Sequence, residues 1–279
     1  FSSRRRHTRY ISVTGDQTCA LPISTPVTAT ASPVFDAVRP FLSRLALDNP
    51  PGVEALNALG APVRFVPSSD SDEPYELHVE RTREVPTRPD NWHDVFNALA
   101  WCAFPQTKRV LNHRHGEEIR RRGATGARGT VRDALSLFDE GGVIVASDDA
   151  SLLELLRGFE WKALFWTRRA DVVARMRFFV FGHAILEKAM SPYKGITAKA
   201  LLLEMPPSFL AQSSDRQRAE VDARAAAWFA HSPLDSTRLL SPLPILGVPG
   251  WGENDRADFY EDTSVFRPGY REGAVGAEG

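Results

Sequence analysis

Residues 91–112 read NWHDVFNALAWCAFPQTKRVLN, and this stretch sets the reading of the whole chain. Apolar positions recur at three- and four-residue spacing up to Phe104, and Asp90 or Asn91 is placed to cap a helix start. Pro105 interrupts that helix, because its ring removes a backbone donor, and a second helix is expected over residues 107–122. Two consecutive helices joined at a proline thus form the centre. The elements around them are mixed.

Upstream, residues 34–47 carry a helical spacing of Val, Phe and Leu, residues 53–59 a short helical turn and residues 63–66 a short strand. Tyr75, Leu77 and Val79 alternate with Glu76 and His78, which predicts a strand. Downstream, residues 134–138 and 143–146 flank Asp139-Glu140-Gly141-Gly142 and predict a β-hairpin. A helix is expected over 150–166, a buried strand over 176–181, a helix over 183–190, a strand over 198–203 and an Ala-rich helix over 216–231. Residues 242–279 form an irregular tail rich in Pro, Gly and aromatics. Strands and helices do not alternate strictly, so the fold class is α+β: a single helix-rich mixed domain over residues 25–270, with a hairpin, a few short strands, a C-terminal wrap and a loose tail at 271–279.

Residues 1–24 are set apart. The string FSSRRRHTRYISVTGDQTCALPIS has no apolar face at either period and reads as sequencing-adapter read-through rather than protein. The whole chain of 279 residues carries 34 Lys+Arg against 35 Asp+Glu. Removing that segment's four arginines and one aspartate leaves 30 basic and 34 acidic side chains in 255 residues, a net charge of −4. Such a balance excludes a basic nucleic-acid coat. Cys102 then stands alone, which excludes a disulfide framework or cysteine-rich zinc module and fits a reducing, cytoplasmic compartment. No apolar run approaches the roughly 20 residues needed to span a bilayer.

The 91–112 string resembles the bacterial domain-of-unknown-function family numbered 3025. The resemblance continues through RDALSLFDE (132–140), FGHAILE (181–187), PYKGITAKA (192–200) and LPILGVPGW (243–251). It implies membership of a family marked by His, Asp, Asn and aromatic positions. It assigns no catalytic residue.

The candidate chemistry therefore comes from the residues. His93 and Asn97, four apart on a helix, share a face with Asp94 nearby, and a histidine titrating near neutrality is the usual proton shuttle. The plainer alternative is a capped helix start with an ordinary half-buried histidine. His183 and Glu187 repeat the four-residue spacing just after a strand end and a glycine, where sites often form. The alternative there is a plain intrahelical pair. In Asn112-His113-Arg114-His115 the two histidines fall on nearly opposite helix faces, so one at most joins a site. Asp133 stands out among the acids ahead of the hairpin, whereas Asp139 and Glu140 read as solvated turn formers.

Residues 106–132 hold eight Lys/Arg, Lys108, Arg114 and Arg132 among them, against Glu117 and Glu118. That cluster suits a phosphate, although residues 123–129 lack the Lys-Ser/Thr ending of a P-loop. Two functions follow. The first is an acid–base or metal-assisted hydrolase using His93, Asp94, Asn97, Asp133, His183 and Glu187 on a small, phosphate-containing substrate, its metal and cofactor left open. The second is a non-catalytic protein that binds nucleic acid or another anion through 106–132. A purely structural role for these polar residues is the third outcome.

Overall fold

The structure, a computed structural model, describes residues 30–70, 72–122 and 129–269. The leader expected at 1–24, the loop expected at 123–129 (all but its last residue) and the tail at 271–279 lie outside them. Within the described residues the chain is a helix-rich α+β fold.

Its elements run α1 (Arg39–Leu42), α2 (Val53–Asn57), β1 (Arg64–Pro67), α3 (Tyr75–Thr82), β2 (Glu84–Thr87), α4 (Trp92–Ala103), α5 (Pro105–Arg122) and α6 (Gly129–Gly141). They continue with β3 (Gly142–Ser147), α7 (Ala150–Arg157), α8 (Arg169–Arg175), β4 (Met176–Val180), α9 (His183–Lys188), β5 (Thr197–Glu204), α10 (Ser214–His231) and β6 (Ser241–Pro244). Four strands make one sheet in the order β4-β3-β5-β6, parallel only between β3 and β5. β1 and β2 pair in parallel as a separate ribbon. Every residue of β3 is buried, as a central strand covered on both faces requires.

The helix pair at the centre forms as its sequence dictates. Asn91 caps α4 by accepting a hydrogen bond from the Asp94 backbone N–H at 3.0 Å. Pro105 opens α5, where its missing donor costs nothing. The N-terminal amides of α5 at Gln106 and Thr107 are satisfied instead by the buried Asp222 carboxylate of α10, at 3.0 and 2.8 Å.

Two strand expectations are corrected. Residues 75–79 belong to helix α3, not to a strand. The alternation spans only five residues, and docking on α5 prevails: Val79 is buried, Asn112 donates to the Glu76 carbonyl, and Glu80 binds His113 and Arg120. Nor is there a hairpin at 134–146. Ala134, Leu135 and Phe138 are the buried stripe of helix α6, and Gly141-Gly142 ends that helix directly into β3, whose partners are β4 and β5. Asp139 and Glu140 therefore sit in the last turn of a helix.

Three smaller differences share one cause, local backbone punctuation. The first expected helix is a 3₁₀ turn, Pro33–Phe35, followed by short α1 with Pro40 inside it. The helix expected over 150–166 stops at Gly158, where Phe159 takes a left-handed φ of 61°, and resumes as a π-helical turn at Ala163–Thr167. Part of the irregular tail adds β6 to the sheet edge, where Pro242 and Pro244 are tolerated.

The core beneath the site is aromatic. Phe138 of α6 lies 4.9 Å from Phe181 and 4.6 Å from Phe229 of α10, centroid to centroid, and Phe181 lies 5.4 Å from Phe104. All four rings are fully buried.

Candidate functional site

Three helix ends meet beside the end of the sheet where β3 begins and β4 ends: the start of α4, the end of α6 and the start of α9. Gly182 makes the meeting possible. The turn from β4 into α9 passes so close to the α6–β3 junction that a Cβ at Gly182 would lie 2.5 Å from both the Glu140 carbonyl oxygen and the Gly142 nitrogen. The backbone N–H groups of Phe181 and Gly182 both donate to the Gly142 carbonyl, at 3.0 and 2.8 Å. His183 is thereby held beside Glu140.

The centre of the site is a pair of imidazoles. His183 Nε2 and His93 Nε2 stand 3.0 Å apart, with the rings nearly perpendicular. Glu140 Oε2 completes a triangle, 3.5 Å from His183 Nε2 and 3.8 Å from His93 Nε2. Behind His93, its Nδ1 hydrogen-bonds Glu187 Oε2 at 2.9 Å. Behind His183, its Nδ1 lies 3.9 Å from Asp139 Oδ2. Asp139 is itself held by the Lys108 ammonium at 2.6 Å, and Lys108 also donates to Asn97 Oδ1 at 2.8 Å. That ammonium is buried, with the Trp101 and Phe181 rings 5.5 and 5.9 Å away.

Burial sets the charge states. His183 is 4% exposed, and desolvation pushes its pKa down to about 4 against the pull of Asp139, so the ring is neutral at pH 7. Burial also raises the Glu140 carboxyl, opposed by His93 and reinforced by Asp139. For Asp139 burial works upward but Lys108 and His183 overcome it, and the group lies below the ordinary carboxylate value.

These groups line a cavity of about 850 Å³, also walled by Tyr75, Glu76, Arg88, Asn112, His115 and Asp133. This is within the roughly 300–1,000 Å³ of small-molecule sites. Beside Tyr75 and three histidines, its lining carries the carboxylates of Glu76, Asp94, Asp133, Asp139 and Glu140 against the cations Arg88, Lys108 and Lys188. Acid predominates.

The structure brings some expected residues together and assigns others elsewhere. His93 and His183 meet directly. Glu187 shares a helix with His183 but reaches across to His93, so the expected intrahelical pair gives way to a bond between helices. Asn97 does not touch the imidazoles; it positions Lys108 and lies 3.4 Å from the Tyr75 hydroxyl. Asp94 is occupied by Arg88, whose backbone and guanidinium make three hydrogen bonds to it, at 2.7, 3.0 and 2.6 Å. Asp133 lines the cavity on its exposed side. Of the neighbouring histidines, buried His115 faces the cavity and exposed His113 pairs with Glu80.

Of the basic candidates, Lys108 belongs to the cavity and the other two do not. Arg114 donates to the Phe229 and Ser232 carbonyls, both at 2.6 Å, closing the end of α10. Arg132 is half-buried away from the cavity lining. Asp139 and Glu140 are the site residues that sequence reasoning missed, because DEGG reads as a turn. The signal that finds them is the three- and four-residue spacing of Val131, Ala134, Leu135 and Phe138, which extends a helix through them.

The fold and the cavity together define a helix-rich α+β protein with an imidazole–carboxylate cluster at the meeting of three helix ends. The family described as protein of unknown function (DUF3025) matches residues 63–270, and the chain belongs to it. His93, Glu140 and His183 all lie inside that range. No curated protein and no solved structure matches the chain. No helix among the described residues is long and apolar enough to cross a membrane.

Proposed function

We propose that the protein is a hydrolase acting on a small, phosphate-bearing substrate in the cavity around His93 and His183. The observation that carries this reading is the convergence of the two Nε2 atoms, from residues 90 positions apart, with a carboxylate at the wall of a substrate-sized cavity. His183 is buried, and His93 and Glu140 flank it at the cavity wall.

In the reaction, water is activated at the cluster and its oxygen bonds to phosphorus. The bond from phosphorus to the leaving oxygen breaks, and the proton released by water passes through the cavity carboxylates to that oxygen. Lys188 at the rim, with no ion pair among the described residues, is placed to meet the remaining negative charge. A bacterial cytoplasm, kept reducing, suits a chain whose Cys102 is a free thiol.

No observation favours the anion-binding alternative. Leaving aside Arg122 and Arg128, whose side chains lie outside the described residues, the basic segment is largely engaged within the fold: Lys108 with Asp139, Arg114 with carbonyls, Arg120 with Glu80 and Arg121 with Glu118.

The test is turnover of a chromogenic panel of phosphomonoesters, phosphodiesters, carboxylic esters and amides by the full chain and by His93→Ala. The expected result is hydrolysis of a phosphate ester that falls at least 100-fold in the variant. Hydrolysis of no phosphate ester, or equal rates in the two proteins, overturns the reading.

A further inference from the structure

We infer that His93 Nε2, His183 Nε2 and Glu140 Oε2 form a three-ligand site for a divalent first-row transition metal, with zinc as the favoured ion. The inference rests on the same cluster as the proposed hydrolase but not on hydrolysis, since a chain can hold a metal and turn nothing over.

Geometry is the first argument. The three atoms form a triangle with edges of 3.0, 3.5 and 3.8 Å. The point equidistant from all three lies about 2.0 Å from each, and zinc binds imidazole nitrogen and carboxylate oxygen at about 2.0–2.2 Å. Ligand atoms around a tetrahedral zinc at that distance stand about 3.3 Å apart, close to the mean of these edges. An imidazole–imidazole hydrogen bond accounts for one edge of the triangle. It does not account for the carboxylate oxygen facing both nitrogens.

Proton placement is the second. Glu187 accepts from His93 Nδ1, which fixes the proton there and leaves a lone pair on Nε2. Asp139 Oδ2, itself fixed by Lys108, lies 3.9 Å from His183 Nδ1, within ionic but not hydrogen-bond range. The two Nε2 atoms and the Glu140 carboxylate face one point, where a cation would be held by all three. Carboxylates behind the ligating imidazoles are the usual support of such centres, orienting the rings and strengthening them as donors.

Charge is the third argument. Five carboxylates against three cations line the cavity, and a divalent ion offsets that excess. It would also give a phosphate a reason to enter an otherwise acidic cavity.

The donor set selects the ion. Two imidazoles and one carboxylate suit zinc, iron, manganese, cobalt or nickel; an all-oxygen preference disfavours magnesium and calcium, and the lack of thiolate disfavours copper(I). With three protein ligands, a water occupies the next position, as in catalytic rather than structural zinc sites.

The experiment is metal binding by the tag-free full chain, stripped with a chelator and then titrated with zinc. Elemental analysis and calorimetry read stoichiometry and affinity. About one zinc per chain is expected, with a rise in melting temperature. Glu140→Gln, at a half-exposed side chain whose replacement leaves the core intact, should abolish the high-affinity event, and His93→Ala likewise. Glu187→Gln should weaken affinity by roughly 10–100-fold while leaving the stoichiometry unchanged. His113→Ala, at an exposed histidine, should change neither.

No binding of zinc, manganese, cobalt, nickel or iron(II) by the folded stripped protein overturns the inference. So does binding that Glu140→Gln leaves intact. A zinc-binding chain without turnover contradicts the hydrolase alone, and turnover by a chain that binds none of these ions contradicts the metal centre alone.

Discussion

Lys108 illustrates how much at this site depends on single side chains. The residue is 4% exposed, and its ammonium compensates the Asp139 carboxylate that stands behind His183. Lys108→Met removes one partner of a buried pair and leaves the other charge stranded, which costs about 3 kcal/mol of unfolding free energy. Asp139 then protonates more readily, because burial is opposed only by His183 and His115. Urea denaturation of Lys108→Met, Asp139→Asn and the double variant checks this: the double should lose less than the sum of the singles. Additive losses would mean that the pair is not coupled. The same scale explains what could be read in advance. His93 and His183 stand out as imidazoles at the starts of apolar-faced helices, but nothing along the chain announces that they face each other. Glu140 was hidden by its own neighbours, since an acid followed by two glycines resembles a turn until the helix behind it is counted.

Helices α4, α5, α9 and α10 and strands β1, β4 and β5 were legible because their periodicity runs over enough residues, or because Asn91, Pro105 and Gly182 punctuate them. Helix α3 was not, since five alternating residues cannot outweigh the surface of α5 against which it folds. Caps act at this scale, and α7 offers a measurable one. Its N-cap Asp149 accepts hydrogen bonds from the Ser151 N–H and hydroxyl at 3.0 and 2.6 Å, and from Arg175 at 2.7 Å. Ser151, and then Arg175 and Arg168, hold its carboxyl below the ordinary 3.8. A folded-state pKa below the unfolded one adds stability that is present above the unfolded value and is lost as pH falls through the folded one. Asp149→Asn keeps a capping oxygen but removes the charge. Its deficit should be about 0.5–1 kcal/mol at pH 7 and should close below pH 3.8, as read by denaturant titration at several pH values. A deficit independent of pH would place the effect elsewhere.

Over the whole molecule, the site exists because the sheet and the helices share one aromatic core. Phe138 touches Phe181, one residue from Gly182, and Phe229 of α10, so it ties the end of α6 to the start of α9. Phe138→Ala should cost about 3–5 kcal/mol and displace Glu140 from His183, lowering both melting temperature and zinc affinity. If stability falls while affinity holds, the core does not position the site. Helix-rich α+β architecture was legible from the mixture of periods along the chain. The parallel β3–β5 pairing was not, because it depends on contacts 57 positions apart.

At the heart of the site, His93 and His183 present their Nε2 atoms to one shared ion. Ring-nitrogen NMR of the selectively ¹⁵N-histidine-labelled chain addresses it directly, before and after one equivalent of zinc. Nδ1-protonated tautomers are expected for His93 and His183, with a shift of both Nε2 resonances on zinc addition and His113 unchanged. Nε2-protonated rings, or zinc shifts confined to other histidines, would contradict it.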